Sequence, residues 1–418
     1  MSTDLKRILL GINFGIALAH AGNYIYFPLL VATLGVQYSG SWAGFVIFLT
    51  YVGRLVSTFF YEGVSVRLGN RNGIVAGVAV EAVALGLMGF AHGVAFYSIL
   101  AFFVGFGSGM SFPGLKNVLS AFPEATRPKA FSSFQMSCQT GALAGALLGA
   151  LFVGVDARIL FSVVFALFMV YCLAAFSFIP TEIAQEKGPA ATSRNRAIPL
   201  VNMAVLKGIQ VGGAVRYFIL SSLFWLLSIS FLVGIPLHMQ EFVKEWPVSV
   251  PFWITGVALI ALQYPAFRFM IRHFQPGQVM AVAFSAMALA YLFFGAGRTA
   301  SWVVIGCLVV VLGDILFTPS FDLWVAKKIP GDRLAKAMGA MHFFRSFGNM
   351  LGTLTAGLLY DLSRAAGLPG LNWYIFAAVA VACAIFSLLN ARKETLSTAA
   401  RSRPIGVPLQ PIEPTSRV

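Results

Sequence analysis

The chain has 418 residues, of which 58% are hydrophobic and only 11% charged, and it carries a formal charge of +14. That balance excludes the two or three soluble domains its length would otherwise suggest. The excess of positive charge does not point to nucleic acid, because the basic residues follow the loops between apolar stretches.

In chain order the apolar stretches fall at 8–33, 42–61, 73–91, 95–116, 130–154, 157–180, 215–237, 250–270, 278–297, 301–325, 337–360 and 371–391. Each approaches the ~20 residues needed to cross ~30 Å of hydrocarbon. Backbone groups in lipid must be paired internally, and short alternating barrel strands are absent from the sequence, so the spans are predicted to be helices. Lys6-Arg7 before the first apolar run resembles a signal-peptide start. Removing that run would leave eleven spans and break the alternation of loop charge, so it is counted as the first crossing.

With twelve crossings and a cytoplasmic N-terminus, only Arg158, Lys244, Arg298 and Arg364 among the basic residues fall outside, and Arg54 and Arg345 lie within spans. All other Lys and Arg are cytoplasmic, which is the positive-inside pattern with both termini inside. The expected setting is a bacterial-type inner (plasma) membrane. The cysteines Cys138, Cys172, Cys307 and Cys383 occupy four different spans without metal-ligand spacing, so neither zinc nor disulfides are implied.

The polar stretch 181–214 divides the spans six and six, giving an N-terminal bundle over 1–180, a cytoplasmic linker, a C-terminal bundle over 215–391 and a disordered cytoplasmic tail over 392–418 with Pro404, Pro408, Pro411 and Pro414. The halves repeat one another. GSGMSFPGLKNVL at 107–119 aligns with GDILFTPSFDLWV at 313–325, and KAFSSFQMSCQTGALAGAL at 129–147 with KAMGAMHFFRSFGNMLGTL at 336–354. Such repeats predict two pseudo-symmetric bundles rocking about a midplane site. Gly141, Gly145 and Gly149, with Gly348 and Gly352 in the other half, have GxxxG spacing and are predicted to form the interface between bundles.

On these features the chain resembles a major facilitator superfamily transporter over residues 5–392, and within that family the twelve-span bacterial drug:proton antiporters. GVSVRLGNRNG at 63–73 is similar to the family's loop motif through Arg67, Gly69 and Arg71, with Val66 where an aspartate is usual. PAFRFMIRHFQPG at 265–277 is a weaker counterpart. Span five resembles the antiporter glycine motif without its proline, and Ala101 of span four stands where that branch often has arginine. The resemblance implies an all-α fold of two six-helix bundles, a gating role for Arg67, Gly69 and Arg71, monomeric function, and a cavity lined by the first, fourth, seventh and tenth spans.

Ionisable groups inside a bilayer are costly, and Arg54, Glu81, Asp314 and Arg345 are the clear ones. At ~1.5 Å per residue, Arg54 and Glu81 reach similar depths on consecutive antiparallel spans, as do Asp314 and Arg345. Each couple is a candidate buried pair, which serves equally as a structural lock. Taken with the implied cavity, Asp314 is the first candidate proton carrier, Glu81 the second, and His342, one turn before Arg345, a candidate relay. Arg345 and Arg54 are cavity candidates able to hold an anionic group. Asn13, His20, Asn23 and Tyr24 make a polar stripe on span one, Gln135 and Gln139 share a face of span five, and Trp225 shares one of span seven with Ser221 and Ser228.

No Walker loop, HExxH or dinucleotide fingerprint is present, so neither an enzyme nor a cofactor is expected. The expected partners are the lipid bilayer, protons and a small-molecule substrate. The function this supports is proton-coupled efflux of drugs or an amphipathic metabolite by alternating access. The alternatives left open are a dedicated exporter of an anionic product such as a siderophore, a proton-coupled nutrient importer, and a membrane sensor that keeps the fold without transport.

Overall fold

The computed structural model describes residues 3–180, 215–328 and 331–401. Twelve helices account for almost all of them: α1 Thr3–Gln37, α2 Gly40–Leu68, α3 Asn70–Met88, α4 Val94–Ser120, α5 Arg127–Gly149, α6 Ala157–Phe178, α7 Val215–Phe242, α8 Val250–His273, α9 Pro276–Ala296, α10 Ala300–Lys328, α11 Gly331–Ala365 and α12 Leu371–Arg401. The linker 181–214 and residues 402–418 lie outside the described residues. The tail was expected to lose its order from residue 392. Instead the backbone of α12 continues as helix to Arg401.

Connections are short and set by local chemistry. Ser39 caps α2 by accepting from the Trp42 amide at 3.3 Å, and Asp156 caps α6 by accepting from the Arg158 amide at 2.7 Å. Gly69, at φ +81° and ψ 154°, makes the one-residue turn from α2 into α3 in a region open essentially only to glycine. The turn is tied to the rest of its bundle by Asn70, which is buried. Asn70 Nδ2 donates to the Gly114 carbonyl at 3.0 Å and its Oδ1 accepts from Tyr61 at 2.9 Å.

Ten of the helices are long and apolar enough to cross a membrane by themselves; α5 and α11 are not among them. The reason is visible in their positions. In the N-terminal bundle α1 packs on α5 and α6, α2 on α4, and α3 on α4 and α6; in the C-terminal bundle α7 packs on α11, α8 on α10, and α9 on α10 and α12. The bundles meet through α2 against α11 and α5 against α8, pairs that exchange under the pseudo-twofold, with α1 against α7 between them. Helices α5 and α11 therefore sit inside the assembly, where polar side chains are tolerated. The lipid-facing belt falls to outer helices such as α6, with Ile159, Leu173 and Phe176 exposed, and α12, with Val381, Ile385 and Leu389 exposed. Pro28 and Pro236 lie inside α1 and α7, and Pro113 and Pro319 inside α4 and α10, so the repeat extends to the prolines within the helices.

The start of α1 and the end of α12 lie on the same side of the helices, here called the terminal end; the opposite side is the distal end. The bundles touch at the distal end. A Cβ on Gly40 would meet Tyr360, Asp361 and the Gly357 carbonyl, and one on Gly44 would meet the Thr353 carbonyl and the Gly357 backbone. Nearby, Gly35 lies against Leu237 and Gly256 against Leu143. Absence of side chains here lets two backbones approach directly.

This corrects the expectation for the GxxxG glycines. Gly141, Gly145 and Gly149 face Ala17, Ala21 and Ile25 of α1, while Gly348 and Gly352 face Ser222 and Leu226 of α7. They close helix pairs inside each bundle rather than between bundles. The spacing identified close helix contacts correctly, but spacing alone does not say which neighbour is approached.

Candidate functional site

The site forms between the bundles in the middle of α1, α2, α5, α7, α10 and α11. Helix α2 places Tyr51 and Arg54 there. The Arg54 guanidinium holds Ser108 Oγ of α4 with Nε at 3.2 Å and Nη2 at 3.1 Å, and its Cζ lies 5.3 Å from the Tyr51 ring centroid. Across the gap, α11 places Arg345 with its Cζ only 3.6 Å from the Trp225 ring centroid of α7. Arg345 is exposed although it lies mid-helix, as is Gln135 of α5, so this part of the interior is open to solvent.

Register explains why the two arginines are level. Helices α2 and α11 run antiparallel, and Gly44 sits between Thr353 and Gly357. About ten residues onward along α2 is Arg54, and about ten back along α11 is Arg345, both ~15 Å further toward the terminal end. The two charges act on one another electrostatically.

Asp314 of α10, half-buried, accepts a hydrogen bond from Ser228 Oγ of α7 at 3.0 Å. It lies within electrostatic reach of Arg345, as does Asp322, but neither is within ion-pair distance. The anticipated Arg54–Glu81 and Asp314–Arg345 couples are therefore not ion pairs. Arg364 and Glu241 form a salt bridge of 3.8 Å at the distal end. Glu81 is 3% accessible and packs on α3 against the bare backbone of Gly107 in α4. It interacts with Arg54 only at longer range. The arginines turn instead to the Ser108 hydroxyl and to the Tyr51 and Trp225 rings.

The span-one stripe divides. His20 and Tyr24 face the centre, His20 within reach of Arg54 and Arg345, and Tyr24 within reach of Tyr51 and Asp314 while meeting Phe252 of α8 edge-on at 6.2 Å. Asn23 is half-buried beside them. Asn13, nearer the terminal end, donates to Ser133 of α5 and so serves the α1–α5 contact, leaving its Oδ1 buried without a partner. Gln139 is half-buried on the same helix as Gln135. The backbone of His342 is in α11, but its side chain lies outside the described residues.

In the loop implied to gate, Arg67 ends α2 exposed, and Arg71 places its Cζ 4.8 Å from the Phe176 ring centroid of α6. Neither reaches across to the other bundle through a described hydrogen bond or ion pair. Lys116 lies at the terminal end of α4 over Phe112, and feels both Arg345 and Asp322.

Sequence reasoning missed the distal closure altogether. Asp361 of α11 accepts from the backbone amides of Gly40 at 2.9 Å and Ser41 at 2.7 Å, the first residues of α2. Tyr360 donates to Glu241 Oε2 of α7 at 2.6 Å, and Arg364 completes the cluster. The signal available was a carboxylate late in one span and a Gly-Ser helix start in another, but nothing in the sequence joins them.

The comparisons agree with this architecture. A family model described as Major Facilitator Superfamily matches residues 12–353. Similar proteins include Multidrug resistance protein MdtH of Klebsiella pneumoniae subsp. pneumoniae, 24% identical over 373 residues with 86% of this chain and 88% of that protein covered. MdtH of Escherichia coli is 22% identical over 381 residues, with the same shares covered. Among solved structures, the nucleoside transporter NupG superposes with TM-score 0.75 at 15% identity, over 91% of this chain and 98% of that one. The POT family transporter PepTSo superposes with TM-score 0.73 at 15% identity, over 93% and 98%. Paired six-helix bundles, an internal polar site and a family match across most of the chain lead to one conclusion: this is a multi-pass membrane transporter, not an enzyme, and it belongs to the Major Facilitator Superfamily.

Proposed function

We propose that the protein is a proton-coupled efflux transporter for drugs or an amphipathic metabolite, working as a monomer by alternating access. The observation that carries this is the asymmetry of the interior. The bundles are joined by backbone contact and by Asp361 at the distal end, while Arg345 and Gln135 remain exposed mid-helix toward the terminal end. The positive-inside pattern assigns the terminal end to the cytoplasm, in a bacterial inner membrane, with both termini inside. In that orientation the conformation receives substrate from the cytoplasm.

Asp314 is the proposed proton carrier. It combines partial access with a neutral hydroxyl partner, Ser228, so it can change charge without breaking an ion pair. The relatives named for multidrug resistance support export, and the aromatic walls made by Tyr24, Tyr51, Trp225 and Phe252 suit amphipathic ligands.

The test uses inverted membrane vesicles with a respiration-driven proton gradient and a panel of amphipathic cations, anions and neutral compounds. Collapse of the gradient by some of these, dependent on the protein, is the expected result. Accumulation of the same compounds in intact cells, driven inward by the gradient, would overturn export in favour of uptake.

A further inference from the structure

We propose that Arg54 and Arg345 form a two-point receptor for an anionic group on the transported molecule, which they grip from opposite bundles. This rests on the transport reading above and names the chemistry of its substrate.

The arginines are level across the one helix pair, α2 and α11, whose close backbone contact joins the bundles. Two guanidiniums facing one another repel, and every carboxylate nearby is committed or distant. Asp314 is held by Ser228. Glu81 is buried against Gly107 on the far side of α4's backbone. Asp322 lies toward the terminal end, where Lys116 shares its field. None is within 4 Å of either guanidinium. His20 of α1 and Tyr51 of α2 are titratable side chains within reach of both arginines, and Tyr24 of α1 is within reach of Arg345.

Each guanidinium also keeps donors free. Arg54 commits Nε and Nη2 to a single hydroxyl, and Arg345 lies against an aromatic face rather than an acceptor. A guanidinium matches carboxylate, sulfonate or phosphate oxygens bidentately, so one oxyanion between the two satisfies both forks. The indole beneath Arg345 and the phenol beside Arg54 offer flat surfaces to the rest of the molecule, which identifies the substrate as an aromatic or amphipathic anion. Because one arginine belongs to each bundle, the anion replaces repulsion across the gap with attraction. Binding thereby favours approach of the terminal halves, as alternating access requires.

The experiment uses the full-length protein in detergent at low ionic strength. Naphthoate, its neutral isostere naphthamide, and naphthylmethylammonium are titrated while tryptophan fluorescence and melting temperature are followed. Naphthoate is expected to bind about tenfold or more tightly than naphthamide, with that preference lost in Arg54→Gln and in Arg345→Gln. Arg345→Lys should keep part of it by retaining charge. Equal binding of acid and amide, preference for the ammonium, no binding of the acid, or a preference unchanged in both glutamine variants would overturn the proposal. Melting temperatures of the empty variants separate loss of binding from loss of fold. Failure of the transport reading is seen elsewhere, as a proton gradient that no compound dissipates, and it leaves the binding preference untouched.

Discussion

Asp361 receives the amides of Gly40 and Ser41 at 2.9 and 2.7 Å, so a carboxylate from the C-terminal bundle caps the first turn of a helix in the N-terminal one. It thus does for a neighbouring bundle what an N-cap residue ordinarily does for its own helix. Hydrogen bonds to a charged group contribute ~1.5–3 kcal/mol each when lost from a protected site. Asp361→Ala is therefore expected to shift the conformational balance by at least about tenfold toward distal opening. Spin labels at exposed Tyr38 and Leu368, near the distal ends of the two bundles, should report a longer mean separation than in the parent. An unchanged distance distribution would show that the amides find equivalent partners.

Gly44 and Gly145 separate closure from stability. Both lack room for a Cβ, but Gly44 meets α11 of the other bundle whereas Gly145 meets α1 of its own. Gly44→Val is expected to hold the distal end apart while leaving the melting temperature within a few degrees. Gly145→Val should cost ~1–3 kcal/mol as an overpacked contact and lower the melting temperature. Reversal of that pattern would assign the two contacts the other way.

Asp314→Asn retains an acceptor for Ser228 and nearly the same shape. Export driven by a pH gradient should fall to background in vesicles, while energy-independent exchange of substrate across the membrane continues. If the variant still acidifies or alkalinises the lumen with substrate, the proton is carried elsewhere, and Glu81 is the next position to change.

The α2–α3 turn offers a purely structural check. Asn70→Ala removes a donor to Gly114 and an acceptor from Tyr61, and is expected to destabilise the fold by ~1–3 kcal/mol, read as an earlier thermal transition. Gly69→Ala should cost ~1–3 kcal/mol through its backbone conformation alone. Transport per folded molecule, measured after correcting for yield, should change far less than for Asp314→Asn.

The number of long helices, the pairing of bundles and the mid-helix positions of Arg54, Arg345, Asp314 and Glu81 were legible because hydropathy marks the extent of each span. Azimuth was not legible. Arg54 turned to Ser108 and Tyr51 rather than to Glu81, and Arg345 to Trp225 rather than to Asp314, because facing direction depends on how each bundle folds around its own core. The glycines show the same division. GxxxG marks a close helix contact through local spacing, while the choice between α1 and α11 as the neighbour is a long-range outcome. Gly40 and Gly44 carry the same GxxxG spacing yet approach Gly357 of the other bundle, so the motif marks a close contact without naming the partner.

Much of the seam between α2 and α11 is main chain, with Gly44 against the backbone of Thr353 and Gly357, and Gly357 against that of Gly40 and Gly44. Interlocked side chains would have to leave their rotamers on parting and find them again on meeting, each at an entropic cost. A bare seam has nothing to re-sort. If the bundles part there, the seam can separate and reseat like two flat rails, with the polar contacts around Asp361 left to be broken. Opening of the distal end is then expected to depend less on unlocking the scaffold than on how readily one carboxylate lets go of two amides.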